Sequence, residues 1–252
     1  MSVTVTADFD VRLATNADDL SAAQQLRYQV FVKELGGDGP LVDHSAGLER
    51  DSFDAHADHL IAFDGRKAIG VYRLMNAEQA KAAGGFYSAG EYDLAPLLSS
   101  GRRVLELGRS CIHPDYRGGA VMHQLWTALA QHIAAQACDV LFGVASFHGT
   151  DVAALAPSLS LLHHRHLAPP PMRVRALETS FQSMNLLAED KVDRRAAMRN
   201  IPSLIKAYLR LGGTVGEGAF VDRQFNTTDV CLILDTAQLN ARQKRIYAGT
   251  AG

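Results

Sequence analysis

The chain has 252 residues, of which 47% are hydrophobic and 21% charged, and its formal net charge is −2. This is the composition of a globular protein with enough apolar material for a core, which excludes a disordered chain. The nearly neutral charge also excludes nucleic-acid binding driven by the charge of the whole molecule.

The cysteines and the N-terminal residues indicate the cellular compartment in which the protein is expected. Cys111, Cys138 and Cys231 are too far apart for a metal motif or a disulfide framework, which favours a reducing compartment. The first eight residues lack a basic region followed by an apolar one, and no apolar run reaches the about 18 residues of a membrane span. We therefore expect a cytoplasmic protein.

The N-terminal third predicts a strand, a helix, a long loop and a hairpin. Residues 9–13 alternate as in a strand, and Thr15 and Asn16 are suitable caps for a helix that ends at Gly36-Gly37. A loop at 36–58 follows, and loops of this length are usually functional or disordered. The pair Asp64-Gly65 between two apolar runs then predicts a hairpin.

The rest of the chain predicts a strand–helix–strand unit and a second helical region. Residues 103–112 and 140–147 are typical of buried strands, and between them an apolar ridge predicts a helix beginning near Gly118. We expect residues 150–175 to be irregular or short-helical, residues 193–211 to be helical with a break at Pro202, and residues 230–234 to form a strand. No stretch has linker composition, so residues 1–252 are predicted to form one domain.

The segment 103–120, with the sequence RVLELGRSCIHPDYRGGA, predicts a strand that turns into a helix through small residues. The first N–H groups of a helix have no internal partner, and glycines let the backbone approach an anion, so this turn suits a phosphate. The alternative is a helix entrance whose small, flexible residues serve only the packing of the helix against the strand.

This segment resembles the donor-binding motif of the GNAT acyltransferase superfamily, with Arg117, Gly118, Gly119 and Ala120 at the turn. The resemblance implies an α/β GNAT-like fold, a mixed central sheet with a bulged central strand, flanked by helices. The expected bulge lies near Leu107-Gly108, since an interior glycine often marks one. Ala120 and Met122 replace small positions of the motif, which disfavours ordinary acetyl-coenzyme A and is compatible with a phosphopantetheine arm.

Charged residues in apolar contexts form a second pattern. Each of them alone fits a structural ion pair, because a buried charge is costly unless it is paired. Together they resemble the conserved set of acyl-homoserine-lactone synthases, which contains Arg-x3-Phe, Asp-x2-Asp, a strand arginine and Glu-x2-Arg. The matching residues here, in the same order, are Arg27 with Phe31, Asp51 with Asp54, Arg73, and Glu106 with Arg109.

Four longer motifs extend the resemblance over about residues 10–236. They lie at 162–169 (LHHRHLAP), 173–175 (RVR), 216–222 (GEGAFVD) and 225–231 (FNTTDVC). They resemble the ornithine–acyl-carrier-protein N-acyltransferases, which make the first intermediate of a bacterial aminolipid. The resemblance implies a 3-hydroxyacyl carrier protein as the donor and the α-amine of ornithine as the acceptor.

The resemblance also implies site roles. Glu106 would remove the amine proton directly or through water, and the backbone of Ser110, Cys111 and Ile112 would stabilise the oxyanion. The phosphate of the phosphopantetheine arm would lie at the turn formed by Arg117, Gly118, Gly119 and Ala120. The acidic loop, which carries Asp51 and Asp54, would hold the distal ammonium of ornithine through one of these two residues. Arg27, Arg73 and Arg109 would either bind the carboxylate of ornithine or order the acidic loop.

Several alternatives remain. Cys111 could form a covalent acyl-enzyme intermediate, although a buried cysteine usually serves only as an apolar packing residue. The histidines at 163–166 point in divergent directions on a helix or strand, so no metal is expected. Four rival functions remain. They are an acyl-homoserine-lactone synthase, an acetyl-coenzyme A N-acetyltransferase, a non-catalytic GNAT-like module, and a transferase for glycine, lysine or glutamine.

Basic residues predict where partners bind. The first candidate patch for an acidic carrier protein is Arg165, Arg173 and Arg175, and the second is Arg194, Arg195, Arg199, Lys206 and Arg210. A charge run is otherwise a solvated face. The mixed basic and apolar helix at 193–211 also suits an anionic membrane surface, against the alternative that its apolar side packs into the core.

Overall fold

The computed structural model describes residues 9–239. Within them the chain divides into two compact units. The first contains residues 9–74 and 109–137, and the second contains residues 75–108 and 138–239. The organisation as one domain stays a prediction.

The strands lie where the sequence predicts strands, with additional short ones at residues 92–93 and in the C-terminal half. In chain order they are β1 (Asp10–Leu13), β2 (Asp58–Asp64), β3 (Lys67–Asn76), β4 (Tyr92–Asp93), β5 (Val104–Ile112), β6 (Val140–His148), β7 (Arg175–Ala176), β8 (Phe181–Gln182), β9 (Thr214–Val215), β10 (Ala219–Asp222) and β11 (Thr227–Asp235).

The helices lie between groups of these strands. They are α1 (Ala17–Arg27), which continues as a π-helical segment (Tyr28–Glu34), α2 (Ala77–Ala83), α3 (Ala95–Leu98), α4 (Ala120–Ala135), α5 (Val152–His166), α6 (Arg194–Asn200) and α7 (Ser203–Arg210).

The first unit is built on an antiparallel β1–β2–β3 sheet that α4 covers. Asn16 caps α1 as predicted, because its side chain accepts the N–H of Asp19. A Cβ on Gly70 would lie 2.8 Å from the side chains of Val121 and Leu125. The absence of a side chain at Gly70 therefore allows the apolar ridge of α4 to pack closely against the sheet. The predicted hairpin and ridge are both confirmed.

The second unit contains β6 and β8 to β11, the first part of β5, and a separate two-stranded sheet formed by β4 and β7. β5 pairs with β6 in parallel, β6 pairs with β11 antiparallel, and β11 also pairs with β9 and β10. The parallel β5–α4–β6 connection confirms the predicted strand–helix–strand unit. The break at Pro202 is confirmed too, since it separates α6 from α7.

Residues 150–175 are predicted to be irregular or short-helical, and the helix in their first half is longer than predicted. Residues 152–166 form the 15-residue helix α5. The reason is local: Asp151 caps the first turn by accepting the N–H groups of Ala153 and Ala154, and the helix tolerates Pro157 in its interior. The prolines at 169–171 lie beyond its end.

The parallel pairing of β5 and β6 covers only Val104–Glu106 against Val140–Phe142, and a close backbone contact lies just beyond it. An ideal Cβ on Gly143 would lie 2.1 Å from the carbonyl oxygen of Leu107. Only glycine therefore allows the two backbones to approach at this point.

Replacing Gly143 with alanine is expected to lower the free energy of unfolding by about 1–3 kcal/mol, because the added methyl group forces backbone movement. Urea denaturation followed by circular dichroism measures this change. Gly108→Ala, on the partner strand, is the matched control, since a Cβ there meets nothing within 4 Å. Equal stability of the two variants would contradict the close approach.

Candidate active site

Six charged side chains form one cluster in the first unit. They comprise three guanidinium groups and three carboxylates, so their formal charges cancel. The members are Arg27, Glu49, Asp51, Asp54, Arg73 and Arg109. Five of them are predicted site residues, and the structure brings all five together.

Arg27 lies at the centre of the cluster, at the end of α1, and is completely buried. Its Nε donates to Oε2 of Glu49, and its Nη1 lies 2.8 Å from Oδ1 of Asp54. Gln24, one turn earlier, donates to the other oxygen of Asp54 at 2.9 Å. A buried guanidinium is tolerable only with such partners. The role of Arg27 is therefore to hold the acidic loop on α1.

Arg73 holds the same loop from strand β3. Its Nη1 lies 2.5 and 2.6 Å from the two oxygens of Asp51 and 3.0 Å from Oδ1 of Asp54. Both carboxylates of the Asp-x2-Asp motif are thus tied to β3, and Asp54 is shared between Arg27 and Arg73. Charge-assisted hydrogen bonds of this kind are stronger than neutral ones.

Arg109 approaches the cluster from β5 in an unusual backbone conformation. Its Nη2 donates to Oδ2 of Asp51 at 2.9 Å, and its Nε lies 3.3 Å from Oε1 of Glu49. Its φ of +49° is in the left-handed region, which costs energy for a residue other than glycine. The strand is therefore irregular one residue after the predicted Leu107-Gly108 bulge, and the ion pairs hold the strained residue.

The exposed fractions of the side chains separate the roles within the cluster. Glu49 and Asp54 are 1% and 4% exposed, whereas Asp51 is 16% and Arg109 13% exposed. Asp51 and Arg109 form the accessible edge of the cluster, so they are the members that a ligand can reach. The buried members order this edge.

Glu49 and His59 belong to the cluster region but were not predicted from the sequence. Glu49 bridges Arg27 and Arg109. The ring Nε2 of His59 lies 3.0 Å from the carbonyl oxygen of Asp54, and burial lowers the pKa of this histidine. Glu49 lies two residues before the Asp-x2-Asp motif, and this proximity was the one signal that could have found it.

The cluster contributes to the dependence of stability on pH. Burial would raise the pKa of Asp51 and Asp54, but the arginine charges outweigh it and hold the pKa of both carboxyls below the ordinary value. A carboxyl with a lowered folded-state pKa stabilises the fold above its unfolded pKa of about 3.9, and this contribution is lost as the pH falls toward the folded value.

We therefore expect the free energy of unfolding to fall steadily below about pH 5, and to fall less steeply in Asp51→Asn, which has one such carboxyl fewer. Urea unfolding at a series of pH values measures both slopes. Parallel curves for the wild type and Asp51→Asn below pH 5 would show that Asp51 is not held ionised by the cluster.

Glu106, the predicted base, lies in the second unit and is 4% exposed. Its Oε2 accepts the backbone N–H of Tyr87 at 3.1 Å, and its Oε1 accepts that of Ser88 at 2.7 Å. The two bonds fix the orientation of the carboxylate and leave each oxygen with further acceptor capacity.

The predicted donor turn lies at the entrance of α4. Gly119 adopts φ +103° and begins the helix without a side-chain cap, so the first N–H groups of α4 are not bonded by a capping side chain. Arg117 is held beside them: its Nη1 and Nη2 pair with Glu34 at 2.6 and 2.7 Å, and its Nε donates to the carbonyl of Ile112. The anion-binding capacity of this turn lies in its backbone.

Cys111 has the properties of a packing residue. It is 6% exposed and lies in an apolar cluster with Leu26, Val30 and Val71. Burial raises the pKa of its thiol to about 12, so little nucleophilic thiolate is present at neutral pH. This environment argues against an acyl-enzyme on Cys111.

No helix within residues 9–239 combines the length and apolar character needed to cross a bilayer.

Comparisons with known proteins agree with this architecture. Residues 26–127 match the model of an acetyltransferase (GNAT) domain. The chain is 55% identical over 246 residues to an L-ornithine N(alpha)-acyltransferase of Rhodobacter capsulatus, covering 95% of this chain and 94% of the relative. It is 40% identical to an L-ornithine N(alpha)-acyltransferase of Brucella abortus, covering 96% and 89%.

Solved structures share the fold at low sequence identity. A CoA-dependent acyl-homoserine lactone synthase superposes with a TM-score of 0.55 at 14% identity, covering 95% of this chain and 88% of that one. An N-acyl amino acid synthase from uncultured soil microbes gives a TM-score of 0.55 at 13% identity, covering 92% of each chain. These matches confirm the predicted GNAT-like fold.

Proposed function

The chain belongs to the L-ornithine N(alpha)-acyltransferases, which have the GNAT acyltransferase fold, and on this basis we propose that it acylates the α-amine of ornithine. The proposed donor is a long, 3-hydroxylated acyl chain on the phosphopantetheine arm of an acyl carrier protein, and the proposed product is lyso-ornithine lipid. The observation that carries the proposal is the 55% identity to a relative of this name along nearly the whole chain.

Recognition of the acceptor is assigned to the accessible edge of the ionic cluster. Ornithine carries a carboxylate and a distal ammonium, and the edge presents one cation, Arg109, and one anion, Asp51. Arginine binds a carboxylate through paired N–H groups, and a carboxylate binds an ammonium. The edge therefore has the charges that complement a zwitterionic diamino acid.

Proton removal is assigned to Glu106. The α-ammonium loses a proton to the carboxylate, directly or through a water molecule, and the free amine attacks the thioester carbon. The tetrahedral intermediate bears an oxyanion. When it collapses, the C–S bond breaks and the nitrogen gives up its second proton, so that the amide forms. The departing thiolate takes up one of the two protons released by the nitrogen, and the other leaves to solvent. Glu106 suits the role because two backbone N–H groups hold it in one orientation.

Donor binding is assigned to the β5–α4 turn. The backbone N–H groups at Ser110, Cys111 and Ile112 are the proposed donors to the oxyanion. The open N-terminus of α4 at Gly118, Gly119 and Ala120 is proposed to bind the phosphate of the phosphopantetheine arm. Arg117, whose charge is paired with Glu34, is proposed to hold the turn in place beside the phosphate.

A panel of acceptors and donors tests the proposal. The purified chain is incubated with ornithine, lysine, glutamine or glycine, and with the same 3-hydroxyacyl chain on carrier protein or on coenzyme A, and the products are identified by mass spectrometry. We expect N-acylornithine as the main product, with the carrier-bound donor preferred. Acylation of another amino acid in preference to ornithine, or formation of a lactone, would contradict it.

A further inference from the structure

The second unit carries a groove with a cavity volume of about 710 Å³ between α5, α6 and α7. Six cationic side chains line it. They are Arg165, Arg194, Arg195, Arg199, Lys206 and Arg210. The whole chain has a net charge of −2, so this groove is a local concentration of positive charge in a slightly acidic protein.

The charges of the groove are only partly neutralised by the protein. Glu189 pairs with Arg165 at 2.5 Å and with Arg194 at 3.4 Å. Arg195 and Arg199 are exposed and have no acidic partner in the described part of the chain. Within residues 9–239 these two guanidinium groups are therefore not neutralised by a carboxylate, which leaves the groove with capacity for an external anion.

Two patches were predicted from the sequence, and the structure divides them differently. Arg165 lines the groove with the residues of α6 and α7. Arg173 instead donates to the carbonyl of Ala168, and Arg175 pairs with Glu217 and Glu178. The three residues of the first predicted patch therefore do not act as one free surface.

The apolar side of α6 and α7 faces the protein core. Ala197, Ile201 and Ile205 are at most 1% exposed, and Tyr208 is 6% exposed. Because these apolar side chains are buried in the protein, the segment does not insert them into a bilayer. It leaves the cationic side outward, and although Leu161 and Met198 also line the groove, the charged groups there favour phosphate or carboxylate ligands.

We propose that the groove binds the phosphate headgroups of an anionic phospholipid surface and holds the enzyme against the membrane. Five of the six cations are arginines, whose planar N–H groups match two oxygens of one phosphate. Each basic residue near an anionic bilayer adds to binding through the negative surface potential. Electrostatic attachment without an inserted apolar face makes the contact reversible and sensitive to salt.

The choice of a lipid surface over an acidic protein rests on the proposed function. An N-acylated amino acid with one long chain has an apolar tail and an ionic head, so it partitions into a bilayer when released. An enzyme attached to the bilayer surface releases its product next to the apolar phase into which the acyl chain of the product partitions. Docking of an acidic carrier protein in the same groove is the alternative that the experiment distinguishes.

The test is vesicle co-sedimentation of the full chain without substrates. Vesicles of phosphatidylcholine alone and with phosphatidylglycerol are compared at low and high salt for the wild type, for Arg195→Glu/Arg199→Glu, and for Arg66→Glu/Lys81→Glu. The last variant has the same change in charge at exposed sites outside the groove. We expect the wild type and Arg66→Glu/Lys81→Glu to bind only the anionic vesicles.

The groove variant is expected to bind the anionic vesicles at least about thirtyfold more weakly than the wild type, because two favourable charges are lost. Equal binding by the wild type and the groove variant overturns the proposal, as does wild-type binding to phosphatidylcholine alone. If that variant instead binds vesicles normally and loses only acyl transfer from carrier protein, the groove is a protein-docking site. Failure of the proposed function would appear separately, as absence of N-acylornithine with vesicle binding intact.

Discussion

Replacing Glu106 with glutamine is expected to lower kcat for ornithine acylation by about a hundredfold or more, because general-base catalysis contributes this much. The amide cannot accept the α-ammonium proton. Glutamine also places an NH2 group against the N–H of Tyr87 or Ser88, so some loss of stability is expected. Steady-state kinetics with the carrier-bound donor measures kcat, and a thermal melt shows how much of the chain is folded at the assay temperature.

Glu91→Gln is the matched control for this experiment, since Glu91 is a buried carboxylate of the same unit, 5% exposed against 4% for Glu106. It is expected to lose stability without a comparable loss of kcat per folded molecule. If the two variants lose kcat equally, or if Glu106→Gln keeps wild-type turnover, Glu106 is a structural residue and another group removes the proton.

Replacing Arg27 with methionine is expected to lower the free energy of unfolding by about 3–5 kcal/mol, because it leaves Glu49 and Asp54 buried without their central cation. Methionine retains the apolar part of the side chain, so the change isolates the charge. Urea denaturation at neutral pH gives the free energy of unfolding of both proteins. The variant should also lose activity, because the loop that carries Asp51 is no longer fixed to α1.

Arg12→Met controls for the loss of an arginine that pairs near the surface. Arg12 bonds Asp19 at 2.6 Å, but its side chain is 38% exposed, so its pair is expected to contribute about 1 kcal/mol or less. Similar losses of stability in Arg12→Met and Arg27→Met would mean that the buried cluster is not held together through Arg27.

Local sequence signals were sufficient to predict much of the fold. Asn16 before α1, Asp64-Gly65 in the hairpin and Pro202 between α6 and α7 act through the backbone within a few residues, so their effects can be predicted without tertiary information. The full length of α5 was not predicted, because it depends on capping by Asp151 and on packing of Leu159 and Leu162 in the core, which hold the helix together across Pro157.

The site was predictable as a set of residues but not as an arrangement. Arg27 and Glu49 are 22 residues apart, and Arg109 and Asp51 are 58 apart, so which partner each residue takes depends on the path of a loop that no local pattern determines. The positive φ of Arg109 was not predictable either, because the neighbouring Gly108 was the natural candidate for an irregular backbone. Exposure then separates Asp51 and Arg109 from the buried members, which the sequence could not do.

The proposed roles of Glu106, Asp51 and Arg109 all depend on formation of an amide at the α-nitrogen of ornithine. The most direct measurement is a reaction with ornithine labelled with 15N at the α-position only, in which fragmentation of the product by mass spectrometry assigns the acylated nitrogen. We expect the acyl-bearing fragment to retain the label and the distal amine to stay free. An acyl group on the unlabelled distal nitrogen, or no amide product, would contradict it.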